Sequence, residues 1–262
     1  MKKQNLTRRD WIYMFMPVLS VMTLILAFIV LSSMEGSLVP TPVAIFQRFL
    51  QMITTPISRA TLQGHIWISL QRVLMAFVIA ISSGILLGIL FGWSSTFNSI
   101  VQPVFELLRP IPPIAWVPLS IIWFGISETS MVFIVFVGAF FPIVINTHSG
   151  MNTVDPLVIN AGRIAGANKV QLLFSVALPA VVPAILAGIK TSLSVGWTCV
   201  LAAEMIAARQ GLGFLIIRGM EHADMAQIMV CMLAIGIVSA LLSTGLTKLE
   251  GVLCPWMFKK AK

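Results

Sequence analysis

Residues 67–92 read WISLQRVLMAFVIAISSGILLGILFG, and the only charged side chain among them is Arg72. A bilayer core about 30 Å thick requires roughly 20 apolar residues for one helical crossing, so this run is long enough to cross a membrane. Strands of a membrane-spanning barrel would alternate apolar and polar residues over about ten positions, and the run shows no such alternation. The pattern therefore predicts a transmembrane α-helix, in which backbone polar groups are satisfied within the segment.

The rest of the chain repeats this pattern, and we predict an all-α integral membrane protein with six transmembrane helices. The predicted spans are residues 11–32, 67–92, 100–124, 130–147, 181–207 and 226–247. The composition supports this prediction, because 58% of the 262 residues are hydrophobic and only 10% are charged. A single membrane domain, residues 11–250, contains all six predicted spans. Its first apolar run is longer than a signal-peptide core and precedes no A-x-A site, so we expect a retained span.

The basic residues predict the topology of these spans. An even number of spans places both termini on one side of the membrane. The termini and the loops on their side carry ten Lys and Arg residues, against four on the opposite side. Because basic residues favour the cytoplasmic side, we expect a cytoplasmic N-terminus, residues 1–10, and a cytoplasmic tail, residues 251–262. The net charge of +8 is thus explained by topology, and we expect no nucleic-acid partner.

The longest predicted cytoplasmic loop contains a helix of its own. After the Asp155-Pro156 pair, residues 157–176 are predicted to form a mildly amphipathic helix that Leu178-Pro179 ends. Small residues that would let another surface approach closely recur in it: Ala161, Gly162, Gly166 and Ala167. From spacing alone the helix either docks a partner or rests on lipid headgroups.

Two features of the spans predict how they are used. In the second span, Gly84, Gly88 and Gly92 recur every four residues, a spacing that lets two helix backbones pack closely. The third span contains several prolines, and such broken helices are tolerated where they line a cavity or are buried by protein. We therefore predict that it forms a wall of a solute pathway. The candidate pathway residues are Arg109, Pro112, Pro113, Trp116, Lys190, Trp197 and Glu204.

Ionisable residues inside the spans are informative because each costs about 2.5–3.5 kcal/mol to insert into lipid. Arg109 and Lys190 are predicted to lie about 14 Å from the cytoplasmic ends of their spans, where two cations at similar depth could hold an anion. The alternative is that they pair with Glu106 or reach lipid headgroups. Arg72 is also predicted to be buried, and Glu204 is interpreted as a structural pair or a gate element.

The sequence offers no catalytic motif. The string GIKT at residues 188–191 lacks the Gly-Lys adjacency of a phosphate-binding loop and lies inside an apolar span. No H-E-x-x-H, no G-x-S-x-G and no cluster of carboxylates with histidine occurs, and the three cysteines lack metal-ligand spacing. We therefore expect a transport subunit that is not an enzyme and holds no cofactor or metal of its own.

Residues 160–166 read NAGRIAG and residues 176–179 read VALP, with nine residues between them. This spacing resembles the EAA loop of binding-protein-dependent ABC permeases, E-A-A-x-x-x-G-(nine residues)-I-x-L-P. Asn160 replaces the glutamate of that motif and Gly162 replaces its second alanine. The longer strings ELLRPIPPIAWVPLSIIWFGISETS (106–130), GAFFPIVINT (138–147) and AAEMIAARQGLGFLI (202–216) resemble the nitrate, sulfonate, taurine and bicarbonate branch of type I importers. The likeness covers about residues 37–250.

The resemblance implies the type I ABC importer transmembrane fold, with residues 157–179 forming a cytoplasmic coupling helix between helices 4 and 5. The residues expected to take part in coupling are Asn160, Ala161, Gly162, Gly166, Ala167, Leu178 and Pro179. It implies a homodimer in the lipid of a bacterial inner membrane, an extracytoplasmic substrate-binding protein, and two cytoplasmic ATPase subunits that bind ATP and Mg. The implied cargo is a small anion of the sulfonate, taurine, nitrate or bicarbonate class.

Two other functions can be compared with the sequence pattern. A self-sufficient secondary transporter or channel is suggested by Arg109 and Lys190, but it would show an inverted repeat, which the span pattern lacks. A membrane-embedded enzyme would need a clustered polar site, which the sequence does not offer.

Overall fold

The computed structural model describes residues 8–34 and 38–255, and most of these residues are helical. In chain order the helices are α1 (Arg8–Ser33), α2 (Pro42–Thr54), α3 (Leu62–Trp93), α4 (Ser95–Leu108), α5 (Val117–Phe124), α6 (Glu128–Asn152), α7 (Pro156–Ile164), α8 (Lys169–Gln171), α9 (Leu178–Ala207), α10 (Leu212–Glu221) and α11 (Met225–Leu253). Within these ranges the only β-bridge is an isolated one, between Ile57 and Ala60. The all-helical prediction is confirmed.

Polar side chains mark where most of these helices begin. Each of the following accepts a backbone N–H from the first helical turn: Thr41, Ser94, Ser127, Asp155, Asn168 and Asp224. Such caps satisfy N–H groups that have no partner inside the helix. The local sequence therefore sets most of the helix starts.

Four helices of the described chain are long and apolar enough to cross a membrane: Leu62–Trp93, Glu128–Asn152, Lys169–Ala207 and Met225–Leu253. A fifth crossing is obtained if α4 and residues Pro113–Phe124, which are bent by 87°, form one span. The first predicted span, residues 11–32, lies partly outside the residues whose side chains are described, and its described apolar part is Leu19–Ser33. The described residues thus supply four or five of the six predicted crossings.

Helix α6 lies at the centre of the bundle, between α3 and α9. Val135, Ala139 and Ile143 are fully buried along it. Glycines of α3 meet its other side chains in matching order, which makes the two helices parallel: Gly84 with Ile143, Gly88 with Thr147, and Gly92 with Met151. We call this row of contacts the glycine seam. It fixes α3 against α6 at close range.

Helix α9 packs on another side of α6 and runs antiparallel to it. Gly138, near the start of α6, faces Cys199, whereas Gly150, near its end, faces Ala184. Glycines of α6 therefore admit α9 closely, just as glycines of α3 admit α6. At the end of the bundle where α6 begins, Arg48 of α2 pairs with Asp224 at 2.8 Å, which ties α2 to the start of α11.

The third predicted span is broken in the structure. The sequence predicts one span over residues 100–124, but α4 ends at Leu108 and the chain turns before a 3₁₀ turn begins at Pro113. Pro110, Pro112 and Pro113 are responsible, because proline has no N–H to donate and its ring clashes with the preceding helical turn. Residues 109–112 therefore cross this part of the bundle outside any helix.

The predicted helix end at Leu178-Pro179 is wrong. Helix α8 continues through a π-helical turn, Leu172–Ala177, directly into α9. In this turn the N–H of Leu178 donates to the carbonyl of Leu173, five residues earlier. The wider turn removes the clash that a proline at position 179 would cause in a regular α-helix. The result is one helical rod of 39 residues, Lys169–Ala207, about 58 Å long.

The predicted cytoplasmic helix is consequently two pieces. Helix α7 ends at Ile164, and the residues after it reverse the chain before α8 begins at Lys169. The second piece belongs to the same rod as the predicted fifth span. No loop therefore separates this end of the rod from α9.

Candidate functional site

Helix α7 has well-defined ends. The carboxylate of Asp155 accepts the N–H of Leu157 at 2.8 Å, and Pro156 occupies the first turn, where its missing N–H costs nothing. At the other end Gly166 has φ +83°, a left-handed conformation that strains residues with a Cβ. The N–H of Gly166 donates to Arg163, and the N–H of Ala167 donates to Gly162. These two bonds end the helix and reverse the chain.

The small residues of this segment have different positions. A Cβ on Gly162 would lie 2.7 Å from Cδ2 of Leu172, so Gly162 packs against the rod of its own chain. Asn160, Ala161 and Gly166 are exposed, and open space surrounds Gly166. Ala167 and Leu178 are half-buried, and Pro179 is exposed. Close packing by Gly162 is thus internal, while the other small residues remain available to a second surface.

Several large apolar side chains of the same segment point away from the protein. They are Leu157, Ile164, Val170 and Phe174, and we call them the coupling surface after the role that the sequence resemblance implies. Ile164 is the most exposed, at 89%. Exposed apolar groups on one segment indicate an interaction site, which can bind either a partner protein or the membrane.

Substituting Gly166 should loosen this segment without unfolding the protein. Alanine at a left-handed position costs about 1 kcal/mol, and the nearby space offers no compensating contact. We expect Gly166→Ala to increase the hydrogen-exchange rate of the amides of residues 156–171 by roughly fivefold, with the melting temperature almost unchanged. Unchanged exchange in this segment, measured by mass spectrometry, would contradict the expectation.

Each of the two candidate cations of the pathway has an acidic partner within the chain. Arg109 caps the end of α4, is 46% exposed, and pairs with Glu106 at 3.1 Å. Lys190 pairs with Glu250 of α11 at 2.7 Å, a partner that the sequence did not indicate. Both positive charges are therefore already neutralised within the chain.

The predicted depth of Arg109 is also wrong. Arg109 lines a cavity of about 280 Å³ together with His148 and Asn152, which lie at the end of α6. That depth assumes that residues 100–109 run along the bundle, but Phe91 near the end of α3 contacts both Phe97 and Phe105, so α4 lies across this end of the bundle. Arg109 consequently lies level with the end of the bundle from which α7 extends.

The residues from Arg109 to Trp116, which end in the 3₁₀ turn Pro113–Trp116, cover a long distance. Trp116 contacts Phe133, with ring centroids 6.5 Å apart. Phe133 precedes His148 by about 22 Å along α6 at 1.5 Å per residue. Pro112 is exposed and Pro113 half-buried, so one face of this segment is open. Of the tryptophans proposed for the pathway, Trp116 is half-buried on this segment, whereas Trp197 belongs to the core and is only 4% exposed.

The strongest polar interactions lie at the opposite end of the bundle, around Arg72 of α3. Its guanidinium donates to both oxygens of Glu128 at 2.6 Å, and its Nη1 donates to Glu204 at 2.7 Å and to the carbonyl of Gln210 at 2.8 Å. The Arg72 and Glu204 side chains are almost completely buried. We call these four residues the Arg72 hub. It joins α3, the start of α6, the end of α9 and the turn that follows.

Further hydrogen bonds complete the hub. The second oxygen of Glu204 accepts from the Oγ of Ser69 and from the N–H of Gly213, both at 2.9 Å. His65 accepts the N–H of Gly211 on Nδ1, so its Nε2 carries the proton and donates to the carbonyl of Ile57. The buried carboxylate thus has a donor at each oxygen, which offsets the cost of removing its charge from water.

The sequence indicated only part of the hub. Arg72 and Glu204 were recognised as ionisable residues within spans, and the structure pairs them. Glu128 was overlooked because it lies just before the predicted fourth span, where an acidic residue also serves as an ordinary first-turn residue. Within the described ranges, His, Cys, Asp and Glu form no group of three or more that could hold a metal ion.

Comparison with known proteins identifies the family of the chain. Residues 84–259 match the family described as binding-protein-dependent transport system inner membrane component. A protein of Methanocaldococcus jannaschii named as an ABC transporter permease is 44% identical over 190 residues, which are 72% of this chain and 71% of that protein. The taurine transport system permease protein of Escherichia coli is 39% identical over 197 residues, which are 75% and 72% of the two chains.

A third relative, the nitrate import permease protein of Synechocystis, is 33% identical over 244 residues, covering 91% of this chain and 89% of that protein. These matches extend over most of the helices described above. The family is a transport component and not an enzyme. The chain therefore belongs to the family of inner membrane components of binding-protein-dependent transport systems, and it is a multi-pass permease subunit of an ABC importer.

Proposed function

We propose that the chain forms one half of the translocation pathway of an ATP-driven importer for a small anion of the sulfonate, taurine, nitrate or bicarbonate class. Relatives named for taurine transport and for nitrate import support this range of solutes. Two separate ATPase subunits bind ATP and Mg and drive alternating access. A receptor outside the bacterial inner membrane delivers the solute, and both termini lie on the ATPase side.

The observation that carries this proposal is the broken backbone after α4. Its proline-rich segment, residues 109–116, is partly exposed on a single chain, and its four non-helical residues and 3₁₀ turn extend about 22 Å along α6 without an α-helical turn. Non-helical backbone at membrane depth is stable only where protein covers it or where it lines a water-filled cavity. We infer that a second copy of the chain stands across from this segment and that a solute pathway lies between them.

The coupling surface is the proposed docking site for the ATPase. It extends from the end of the bundle opposite the Arg72 hub, on a segment with rigid caps at both ends of α7. Asn160 stands where relatives of this motif carry glutamate, so docking relies on the apolar side chains and the close approach at Ala161 and Gly166. An ion pair through position 160 is not part of the mechanism.

The continuous rod provides the connection between docking and gating. Val170 and Phe174 of the coupling surface lie near its start, and Glu204 lies near its end. Closure of the ATPases shifts the start of the rod, and the shift is delivered to the Arg72 hub on the other side of the membrane. The hub in turn fixes the turn around Gln210, which faces the receptor side.

Docking can be tested with one pair of matched variants. Ile164→Asp places a charge in the most exposed apolar contact of the coupling surface, so we expect co-purification with the cognate ATPase subunit to fall at least tenfold. Ile126→Asp makes the same change at a residue that is 67% exposed near the opposite end of α6, and it should retain full binding.

Both variants should insert and melt like the parent chain, because each side chain is exposed. Equal ATPase binding by the two variants would reject the assignment of the coupling surface. Uptake of solute by the chain alone in liposomes, driven by an ion gradient, would instead favour a self-sufficient transporter.

A further inference from the structure

Three arginines converge at the end of the bundle that carries the Arg72 hub. They line a cavity of about 560 Å³, which is formed by the α2–α3 turn, the turn before α10 and α10 itself. Its lining residues are Ser58, Arg59, Arg209, Gln210, Phe214 and Arg218. We call it the arginine cavity. The coupling and pathway assignments make no use of it.

The charges of the arginine cavity are poorly balanced. Within the described part of the chain, neither Arg59 nor Arg209 takes part in an ion pair. Arg218 pairs with Glu221 at 3.3 Å, but its Nε is buried without a hydrogen-bond partner. Glu128 and Arg209 both line an adjoining cavity, but both carboxylate oxygens of Glu128 accept hydrogen bonds from Arg72. Three arginines thus line one cavity, and its lining residues include no carboxylate.

The backbone of the cavity is held in an uncommon conformation. Ser58 and Arg59 have φ angles of 49° and 78°, in the left-handed region that residues with a Cβ avoid. Ile57 and Ala60 fix this turn by exchanging backbone hydrogen bonds of 2.8 and 3.3 Å. The amide of Gln210 also donates to the carbonyl of Ser58 at 3.4 Å. Strain that is maintained by several bonds is characteristic of binding sites, and here it presents Arg59 to the cavity.

We propose that the arginine cavity binds one organic oxyanion through a sulfonate or phosphate group. Guanidinium groups match such groups with paired, charge-assisted hydrogen bonds. Phe214 supplies an apolar wall for the carbon part of the ligand, and the cavity volume falls within the range of about 300–1,000 Å³ of small-molecule sites. Gln210 lines the cavity while its carbonyl accepts from Arg72, so a bound anion contacts the hub directly.

Binding is tested on the full-length chain in phosphatidylcholine nanodiscs by titration calorimetry with butane-1-sulfonate, with butan-1-ol as the uncharged probe. We expect saturable binding of the sulfonate alone. Arg59→Gln and Arg209→Gln should each weaken it roughly tenfold, and added salt should weaken it further. Lys248→Gln, which removes one exposed positive charge from α11, is the matched control and should bind like the parent. Melting temperatures verify that all variants are folded.

The source of the oxyanion is distinguished by a second membrane composition. If a lipid phosphate normally fills the cavity, phosphatidylglycerol nanodiscs should lower the affinity for butane-1-sulfonate several-fold, and Arg59→Gln should remove the difference. Equal affinities in the two membranes assign the ligand to the aqueous phase. Either result supports an oxyanion site.

Three outcomes would overturn the inference. The first is that the parent chain does not bind butane-1-sulfonate. The second is that the parent and both arginine variants bind it equally. The third is that the chain binds no sulfonate but retains an acidic soluble receptor, and that this retention requires Arg59 and Arg209. The last outcome would make the cavity a protein-docking surface. None of these results bears on ATPase binding by the coupling surface, so the two proposals fail independently.

Discussion

Arg72→Met should lower the free energy of unfolding by about 3–5 kcal/mol, because it leaves the carboxylate of Glu204 buried without a countercharge. Glu204 lies in the interior with its side chain fully covered, so water cannot replace the guanidinium. For a chain of this size the melting temperature in detergent should fall by roughly 10 °C. Glu128, which is exposed, can be solvated after the substitution and contributes little to the loss.

Two further variants separate this cost from a general loss of packing. Arg72→Met combined with Glu204→Gln removes the buried charge but keeps acceptors for Ser69 and Gly213, so most of the lost stability should return. Arg109→Met breaks an exposed pair with Glu106 and should cost no more than about 1 kcal/mol. If the double variant is as unstable as Arg72→Met alone, the hub does not act through charge compensation.

The apolar runs of the sequence predict helices, because length and composition alone decide whether a segment can cross a bilayer. The runs at 67–92, 130–147, 181–207 and 226–247 all lie within long helices of the structure. The glycine spacing on α3 also identifies the face that meets α6. These features are local, so no knowledge of distant residues is needed to recognise them.

The positions of helix breaks are harder to predict from sequence than the presence of the helices. The prolines of the third predicted span interrupt it, whereas Pro179 lies inside a continuous rod because a π-helical turn accommodates it. A proline can therefore either end a helix or lie inside one. Which of the two occurs depends on whether the carbonyl groups that lose their helical hydrogen bond find other partners. Arg109 was misplaced for a different reason, since residue counting assumes that a helix runs along the bundle, whereas α4 lies across its end.

The arrangement of charges depended on contacts between distant parts of the chain. Arg72 and Glu204 are separated by 132 positions, and Lys190 meets Glu250 across two helices. The sequence indicates that a buried charged side chain needs a partner of opposite charge. It does not indicate which of several oppositely charged residues is that partner. The arginine cavity was overlooked because its members lie in three separate loops and helix ends, which were interpreted only as basic residues that report topology.

Gly88→Ala is expected to destabilise the protein strongly, because the glycine seam leaves no room for a methyl group. A Cβ on Gly88 would lie 2.5 Å from Cβ of Thr147 and 2.9 Å from the carbonyl oxygen of Val144. The second contact is with backbone, so α3 and α6 must separate before the methyl group fits. Such overpacking costs typically about 1–3 kcal/mol, and Gly88→Val should cost more.

Gly245→Ala provides the matched control for the glycine seam. Gly245 also lies inside a long helix, α11, but no atom lies within 4 Å of the position that its Cβ would occupy. Alanine favours a helix over glycine by about 1 kcal/mol, so this variant should be neutral or slightly stabilised. The same gain is available at position 88, and any loss measured there therefore understates the cost of forcing the helices apart. Equal melting temperatures for the two alanine variants would mean that α3 and α6 do not pack at this distance in the membrane.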